Sequence, residues 1–281
     1  MDTNTVKTVA LSNGIEMPLL GLGTYKLTVA ETENIVRTAI ELGYRHIDTA
    51  AFYGNEEEVG RAINAAISAG DVTREELIVT TKLWNDDQDR VEDAFHESLT
   101  RLDLDYIDIF LVHWPWAQRG LYVEAFKRIA KLSEAGKLRA AGVANFYPEV
   151  LDRIITETGV APVLNQVELH AGFTQPELRA YHREHGILTE AWAPLARGKN
   201  FDEPEIRAVA DAHGATPAQV SLAYLMQLGC SVIPKTANPQ RLVENFGGAR
   251  IELTQEDVDT LDRVAGGRMY ADPREFPGDV K

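Results

Sequence analysis

A short apolar run followed by an amphipathic helical pattern recurs about eight times along this chain, and that alternation constrains its fold more than any other feature. The runs occupy residues 19–24, 45–49, 77–82, 107–113, 139–143, 163–168, 187–192 and 231–234. They are short and lack strict polar alternation, which suits parallel strands covered on both faces. Helix signals fall between them. Thr28 and Glu31 have capping-box spacing, Ile35, Val36, Ala39 and Ile40 supply one apolar face, and Gly43 stops the helix. Glu56, Glu57 and Glu58 load the first turn of the next helix, where the dipole favours anions. Thr174 with Glu177, and Thr216 with Gln219, repeat the capping spacing with a proline early in each helix. Asn238-Pro239 opens another, and Thr254 caps a last one through about Ala265.

This pattern predicts an α/β protein, a (β/α)8 TIM barrel closed by parallel strands. Residues 6–18, turning at Ser12-Asn13-Gly14, read as an N-terminal β-hairpin, and the helix at Thr254 is an extra C-terminal one. A chain of 281 residues suits one such barrel. No low-complexity or Pro/Ser-rich linker divides it, so residues 1–281 read as a single domain with an irregular tail after Gly266.

The formal net charge of −15 argues against general affinity for nucleic acid or an anionic membrane, both of which need a basic face. Cys230 is the one cysteine, so no internal disulfide is possible and a reducing compartment is expected. No charged-then-apolar leader opens the chain and no apolar run approaches the ~20 residues of a membrane span, which reads as a soluble, cytoplasmic protein. No oligomerisation motif is visible, and a monomer is expected. Cys230 precedes a buried strand without evident cations nearby and reads as an inert, packed thiol. His182 and His185 read as part of a solvated helix end, and no metal site is expected there or at Glu168 and His170.

Barrels of this kind carry their active sites at the C-terminal ends of the strands. Asp48 ends the second run, Lys82 the third and His113 the fourth, while Tyr53 follows Asp48 in a loop. One such residue could cap a turn or fill a core; three successive strand ends aimed at one mouth suggest chemistry. A tyrosine hydroxyl, with a solution pKa of about 10, is a poor acid near neutrality. A neighbouring lysine ammonium is expected to lower that value, and a carboxylate keeps the lysine charged and oriented. The imidazole can donate to a carbonyl oxygen as charge builds on it. Together the four could protonate an oxygen that becomes alkoxide-like.

A second constellation follows the last run. Lys235, Thr236 and Arg241 lie beside a helix that starts near Pro239, and free amides there would attract a phosphate. The Rossmann glycine fingerprint is absent, since Gly21-Leu-Gly23 lacks its third glycine. A nucleotide would have to be held in another way.

Taken in order, Gly43-Tyr-Arg-His-Ile-Asp-Thr-Ala50, Tyr53-Gly-Asn-Glu56, Thr80-Thr-Lys-Leu-Trp84, Leu111-Val-His-Trp-Pro115, Gly142-Val-Ala-Asn-Phe146, Asn165-Gln-Val-Glu-Leu-His170 and Ile233-Pro-Lys-Thr236 resemble the aldo-keto reductases over nearly the whole chain. Trp84-Asn-Asp and the short 113–122 connection are similar to the bacterial 2,5-diketo-D-gluconate reductases. The resemblance implies NADPH-dependent reduction of aldehydes or ketones, diketo sugars and dicarbonyls among the candidates, with Asp48, Tyr53, Lys82 and His113 as the catalytic set and Tyr53 as proton donor. It implies NADPH extended across the barrel mouth. Trp192 would stack on the nicotinamide, Asn145 and Gln166 hold its carboxamide, and Leu195 border the pyrophosphate. Lys235, Thr236 and Arg241 would take the 2′-phosphate and Glu244 and Asn245 the adenine, with Ile233 and Ala237 among the contacts. Tyr25, Phe52, Trp84 and Trp114 would line an apolar substrate pocket. Two positions depart from the pattern: Ala144 and Ala193 stand where the family often has serine. Each removes a hydrogen bond typically worth ~1 kcal/mol, loosening the grip on nicotinamide.

Two alternatives stand beside this reading. Lys82 could be the Schiff-base nucleophile of a sugar-phosphate aldolase, with Lys235 and Arg241 holding substrate phosphate. The chain could also be a non-catalytic NADPH-binding module. Substrate choice would rest with residues 116–121, 197–204 and 270–281.

Overall fold

The computed structural model describes residues 6–276. Its first two strands, β1 (Thr8–Ala10) and β2 (Glu16–Pro18), form the expected antiparallel hairpin, with Val9 opposite Met17. Asn13 shapes the turn: its Oδ1 accepts from the Ile15 amide at 3.3 Å and its Nδ2 donates to the Arg139 carbonyl at 3.2 Å, anchoring the hairpin to the barrel.

Eight parallel strands follow: β3 (Leu22–Gly23), β4 (His46–Asp48), β5 (Ile78–Leu83), β6 (Ile107–Val112), β7 (Leu138–Ala144), β8 (Leu164–Glu168), β9 (Leu188–Trp192) and β10 (Ser231–Val232). They pair in unbroken chain order. The ring closes where Leu20 bridges to Val232; the Gly21 amide donates to the Val232 carbonyl at 2.9 Å and the Val232 amide to Leu19 at 2.8 Å. This is the (β/α)8 barrel the alternation predicts.

Helices α1 (Val29–Leu42), α2 (Glu56–Ala69), α3 (Val91–Leu102), α4 (Tyr122–Glu134), α5 (Pro148–Thr158) and α6 (Pro176–Glu184) each follow a strand. The α1 signals act as read: Thr28 and Glu31 form a capping box, and Gly43, at φ 105°, ends the helix in the left-handed region. Between β9 and β10 lie two helices, α7 (Pro204–His213) and α8 (Pro217–Gln227); the last two are α9 (Pro239–Gly248) and α10 (Gln255–Leu261). Among the described residues no helix is long and apolar enough to cross a membrane.

Several local expectations need correction. Helix α7 was not foreseen, because residues 197–204 read as a loop; Pro204 opens it, Ile206, Val209 and Ala210 bury one face, and His213 Nε2 meets Asp257 Oδ2 of α10 at 2.9 Å. Thr174 does not cap α6. The cap is Gln175 at φ 43°, and the Thr174 carbonyl accepts from Arg179 Nε at 2.7 Å. Helix α10 ends at Leu261, short of Ala265. His182 is no part of a solvated surface: it is fully buried, its Nδ1 2.8 Å from Thr189 Oγ1 and its Nε2 3.0 Å from Asn165 Nδ2. Cys230 is buried, which pushes its thiol up to about 11, but Arg179 and Arg183 lie near enough to oppose that shift, so cations are not absent from its surroundings.

The main core lies between the strands and the helices outside them. A second, smaller cluster matters more for the site. Leu11, Ile15 and Met17 of the hairpin pack against Ile78, Ile109, Leu111, Ala140 and Leu164 of the barrel, so the hairpin is a floor that shuts one end. Met17 is fully buried in it. Met17→Ala is expected to cost about 2–5 kcal/mol, the usual range for truncating a buried methionine; urea unfolding followed by circular dichroism measures it.

Candidate active site

The open end of the barrel gathers the four residues singled out at the strand ends. Asp48 is the last residue of β4, Lys82 the fifth of β5, and His113 follows β6 directly. Tyr53 closes a single 3-10 turn over residues 51–53, its amide bonded to the Ala50 carbonyl at 2.9 Å. Asn55, whose role the sequence reading missed, secures that turn. It accepts from Thr49 Oγ1 at 2.9 Å and donates to the Thr24 carbonyl at 3.0 Å, tying the loop after β4 to the one after β3.

Lys82 organises the site. Its Nζ lies 2.8 Å from both Asp48 oxygens and from the Thr49 carbonyl, and 3.2 Å from Tyr53 Oη. Burial works to lower the lysine pKa, but Asp48, and next Tyr53, more than offset it, so the ammonium is held charged. A charged lysine bound on every side is no amine nucleophile. The Schiff-base alternative loses its premise.

Tyr53 departs from expectation. Burial pushes its hydroxyl up to about 12 against the opposing pull of Lys82, whereas the sequence reading had Lys82 lower it. Among protein groups alone, desolvation of the phenolate outweighs one ammonium shared with Asp48. The hydroxyl therefore keeps its proton at neutral pH. His113 is buried and held neutral, its pKa lowered first by desolvation and then by Lys82. Its ring stands edge-on to Tyr53 at 5.8 Å and to Trp84 at 5.0 Å, and its Nδ1 has no hydrogen-bond partner among the described residues.

Tyr25, Phe52 and Trp84 set aromatic rings around this group. Tyr25 meets Tyr53 at 5.0 Å, and Phe52 stacks on Trp84 at 3.8 Å. Trp114 stands apart, stacked at 4.0 Å on Phe276 of the tail. Tyr270 meets Trp192 edge-on at 4.8 Å and lies beneath the Arg197 guanidinium. The sequence reading gave the tail no structure because it carries no period; residues 277–281 of the proposed specificity tail lie outside the described residues.

The nucleotide candidates line the rim on the other side. Trp192 is half-buried and fixed by its indole N–H, which donates to Asn145 Oδ1 at 2.9 Å; Asn145 Nδ2 donates to the His113 carbonyl at 3.0 Å. Gln166 is committed inward, its Nε2 donating to Asp48 Oδ2 at 2.7 Å and Glu190 Oε1 at 2.8 Å. Ala144 is buried, and Ala193 sits at φ 51°, with Asn145, Ala196 and Arg197 also in the left-handed region. Such strain, of order 1–3 kcal/mol per residue, gathers where a ligand or catalytic group must be placed. Leu195 begins the short turn beyond β9. Ile233 and Asn245 are buried, Glu244 is half-buried, and Lys235, Ala237 and Arg241 are exposed.

One expectation here fails. The start of α9 offers few free amides: Asn238 Oδ1 accepts from the Gln240 amide at 2.8 Å, the Asn238 carbonyl from Arg241 at 3.1 Å, and Thr236 Oγ1 from the Asn238 amide at 3.0 Å. An anion there would depend on the exposed cations Lys235 and Arg241 more than on the helix terminus.

The model described as "Aldo/keto reductase family" matches residues 19–265. An aldo-keto reductase of Mycolicibacterium smegmatis is 44% identical over 271 residues, covering 95% of this chain and 97% of the relative. A methylglyoxal reductase, DkgA, of Escherichia coli is 44% identical over 273 residues, covering 96% and 98%. A solved structure of a Gox0644 mutant in complex with NADPH superposes with a TM-score of 0.91 at 39% identity, covering 97% of this chain and 99% of that one.

The buried imidazoles give a check on these electrostatics. Desolvation lowers His46 to about 4 and His182 to about 3, and His113 lies well below its ordinary value. All three are expected to stay neutral in ¹⁵N-edited NMR spectra at pH 6, where a free imidazole with pKa ~6.5 is mostly protonated. Because their folded pKa values lie below the unfolded one, the unfolded state binds more protons below pH ~6.5, and this contribution to stability falls with falling pH.

Proposed function

Since the chain belongs to the aldo/keto reductase family, we propose that it reduces aldehydes and ketones with NADPH and that Tyr53 supplies the proton. The observation that carries this reading is the Lys82 ammonium held between Asp48 and the Tyr53 hydroxyl at the barrel mouth. NADPH bound across the rim would supply the hydride. The residues present suit it: a half-buried indole fixed by Asn145, and exposed Lys235 and Arg241 where a 2′-phosphate would lie.

The chain's own groups account for the proton. Tyr53 holds its hydrogen at neutral pH because its buried phenolate is costly. As an alkoxide forms on the substrate, that hydroxyl is the acid at hand, and Lys82 stabilises the phenolate left behind. Neutral His113 has one ring N–H to donate to the carbonyl oxygen without bringing a charge of its own. Tyr25, Phe52 and Trp84 exclude water from one side. Dicarbonyls of the methylglyoxal type, the substrate named for the Escherichia coli relative, are the class to assay first.

Tyr53→Phe is expected to leave NADPH affinity nearly intact, read by fluorescence titration, while kcat falls by roughly a hundredfold or more, the range for loss of a general acid; wild-type turnover would refute the assignment. Lys235→Ala should raise KM for NADPH about tenfold, the worth of one charge-assisted hydrogen bond, and leave KM for NADH unchanged. Steady-state assays with both cofactors decide it.

A further inference from the structure

The barrel interior just below the catalytic group is polar, and one buried acid there has no part in the chemistry described above. Glu190 of β9 is fully buried. Its Oε1 accepts from Gln166 Nε2 at 2.8 Å, the nitrogen that also donates to Asp48 Oδ2 at 2.7 Å. The two amide hydrogens are divided between two carboxyl groups, so Gln166 cannot rotate without releasing both.

The other oxygen competes with a carbonyl for one serine hydrogen. Glu190 Oε2 lies 3.0 Å from Ser231 Oγ, and Ser231 Oγ lies 3.3 Å from the Pro18 carbonyl. A carbonyl only accepts, and serine has one hydrogen to give. If Ser231 donates to Oε2, the Pro18 carbonyl is left without it; if Ser231 serves Pro18, its oxygen turns a lone pair to Oε2 and only a hydrogen on Glu190 satisfies that contact, the one arrangement that satisfies all three groups. Charge points the same way. The groups facing Glu190 are His46 and Asp48 from β4, Lys82 from β5, Gln166 from β8 and Ser231 from β10. His46 Nδ1 is 3.6 Å from Oε2, too far to bond, and Lys82 is already balanced by Asp48. A second carboxylate would stand uncompensated in the interior. Burial accordingly pushes the Glu190 carboxyl up. His46 packs its ring into the space that a side chain on Gly21 would need, with Nδ1 2.3 Å from the position of a Cβ there.

We propose that Glu190 is a positioning residue for the proton donor: a neutral carboxylic acid that holds Gln166 in register with Asp48 and, through Asp48 and Lys82, fixes Tyr53. The proposal rests on Tyr53 being that donor, and its test separates the two claims. Infrared difference spectra of the full chain with NADPH at neutral pH, wild type minus Glu190→Gln, should show the carbonyl band of a protonated carboxyl group; a carboxylate band in its place overturns the proposal. This measurement does not depend on Tyr53, so turnover by Tyr53→Phe would refute the functional reading and leave the Glu190 band standing.

Kinetics supply the second arm. Glu190→Leu should lower kcat by about tenfold to a hundredfold, as small misplacements of reacting groups do, with the Kd for NADPH unchanged. Glu190→Gln offers a carbonyl to Gln166 and an N–H to Ser231, and should recover most of the loss. Wild-type kcat in the leucine variant, or equal damage in both, overturns the proposal. Should the leucine variant not fold, Ser231→Ala is read instead: removing the acceptor of the Glu190 hydrogen should move the infrared band to higher frequency, and an unmoved band is the contrary result.

Discussion

Everything at the barrel mouth depends on one ammonium group being placed where water is not. Lys82 is fully buried and its Nζ meets four oxygens within hydrogen-bond distance. An isolated ammonium in such a place would lose its charge or unfold its surroundings. Asp48 prevents that, and strand register brings the two together: β4 and β5 pair in parallel with Asp48 opposite Thr80, two residues before Lys82 and with its side chain on the same face. The carboxylate at one strand end and the lysine beside it are one unit. Tyr53 is attached to that unit by the loop that Asn55 pins down.

Tyr53 acquires a different character from the one its neighbours suggest in isolation. A lysine near a tyrosine implies an acidified phenol, but here the lysine's charge is already shared with Asp48 and the phenol lies in a dry place. The Tyr53 hydroxyl thus keeps its hydrogen at neutral pH. In the proposed reaction Lys82 would make the phenolate tolerable, not form it beforehand. A neutral His113 fits the same logic, because a second cation would favour premature ionisation.

The barrel was legible in the sequence because its cause is local and repeated: eight buried runs, each followed by a helix, with capping boxes at the starts of α1, α8 and α10. The four residues at the mouth were legible for a related reason, since the end of a strand is where such a fold puts chemistry. What escaped was set by contacts between distant segments. Glu190, Gln166 and Ser231 sit on three different strands, and nothing adjacent to Glu190 in the chain says that it faces inward. His182 looked like a surface residue because its neighbours are charged; only Asn165 and Thr189, from other elements, make it part of the interior. The tail was opaque for a similar reason: Phe276 gains a place by stacking on Trp114, some 160 residues earlier. The start of α9 misled in the opposite direction, because capping by Asn238 is a side-chain choice that a sequence admits without announcing.

The hairpin floor has a consequence for the barrel interior as a vessel. Leu11, Ile15 and Met17 seal the end farthest from the mouth with apolar side chains. That end of the barrel offers water no polar foothold, whereas the other is lined by Asp48 and Lys82. The interior is closed at one end by carbon and bounded at the other by charge. The hairpin thus lays an apolar floor beneath the buried polar layer of Asp48, Lys82 and Glu190, and so helps to set the low polarity in which their charges meet.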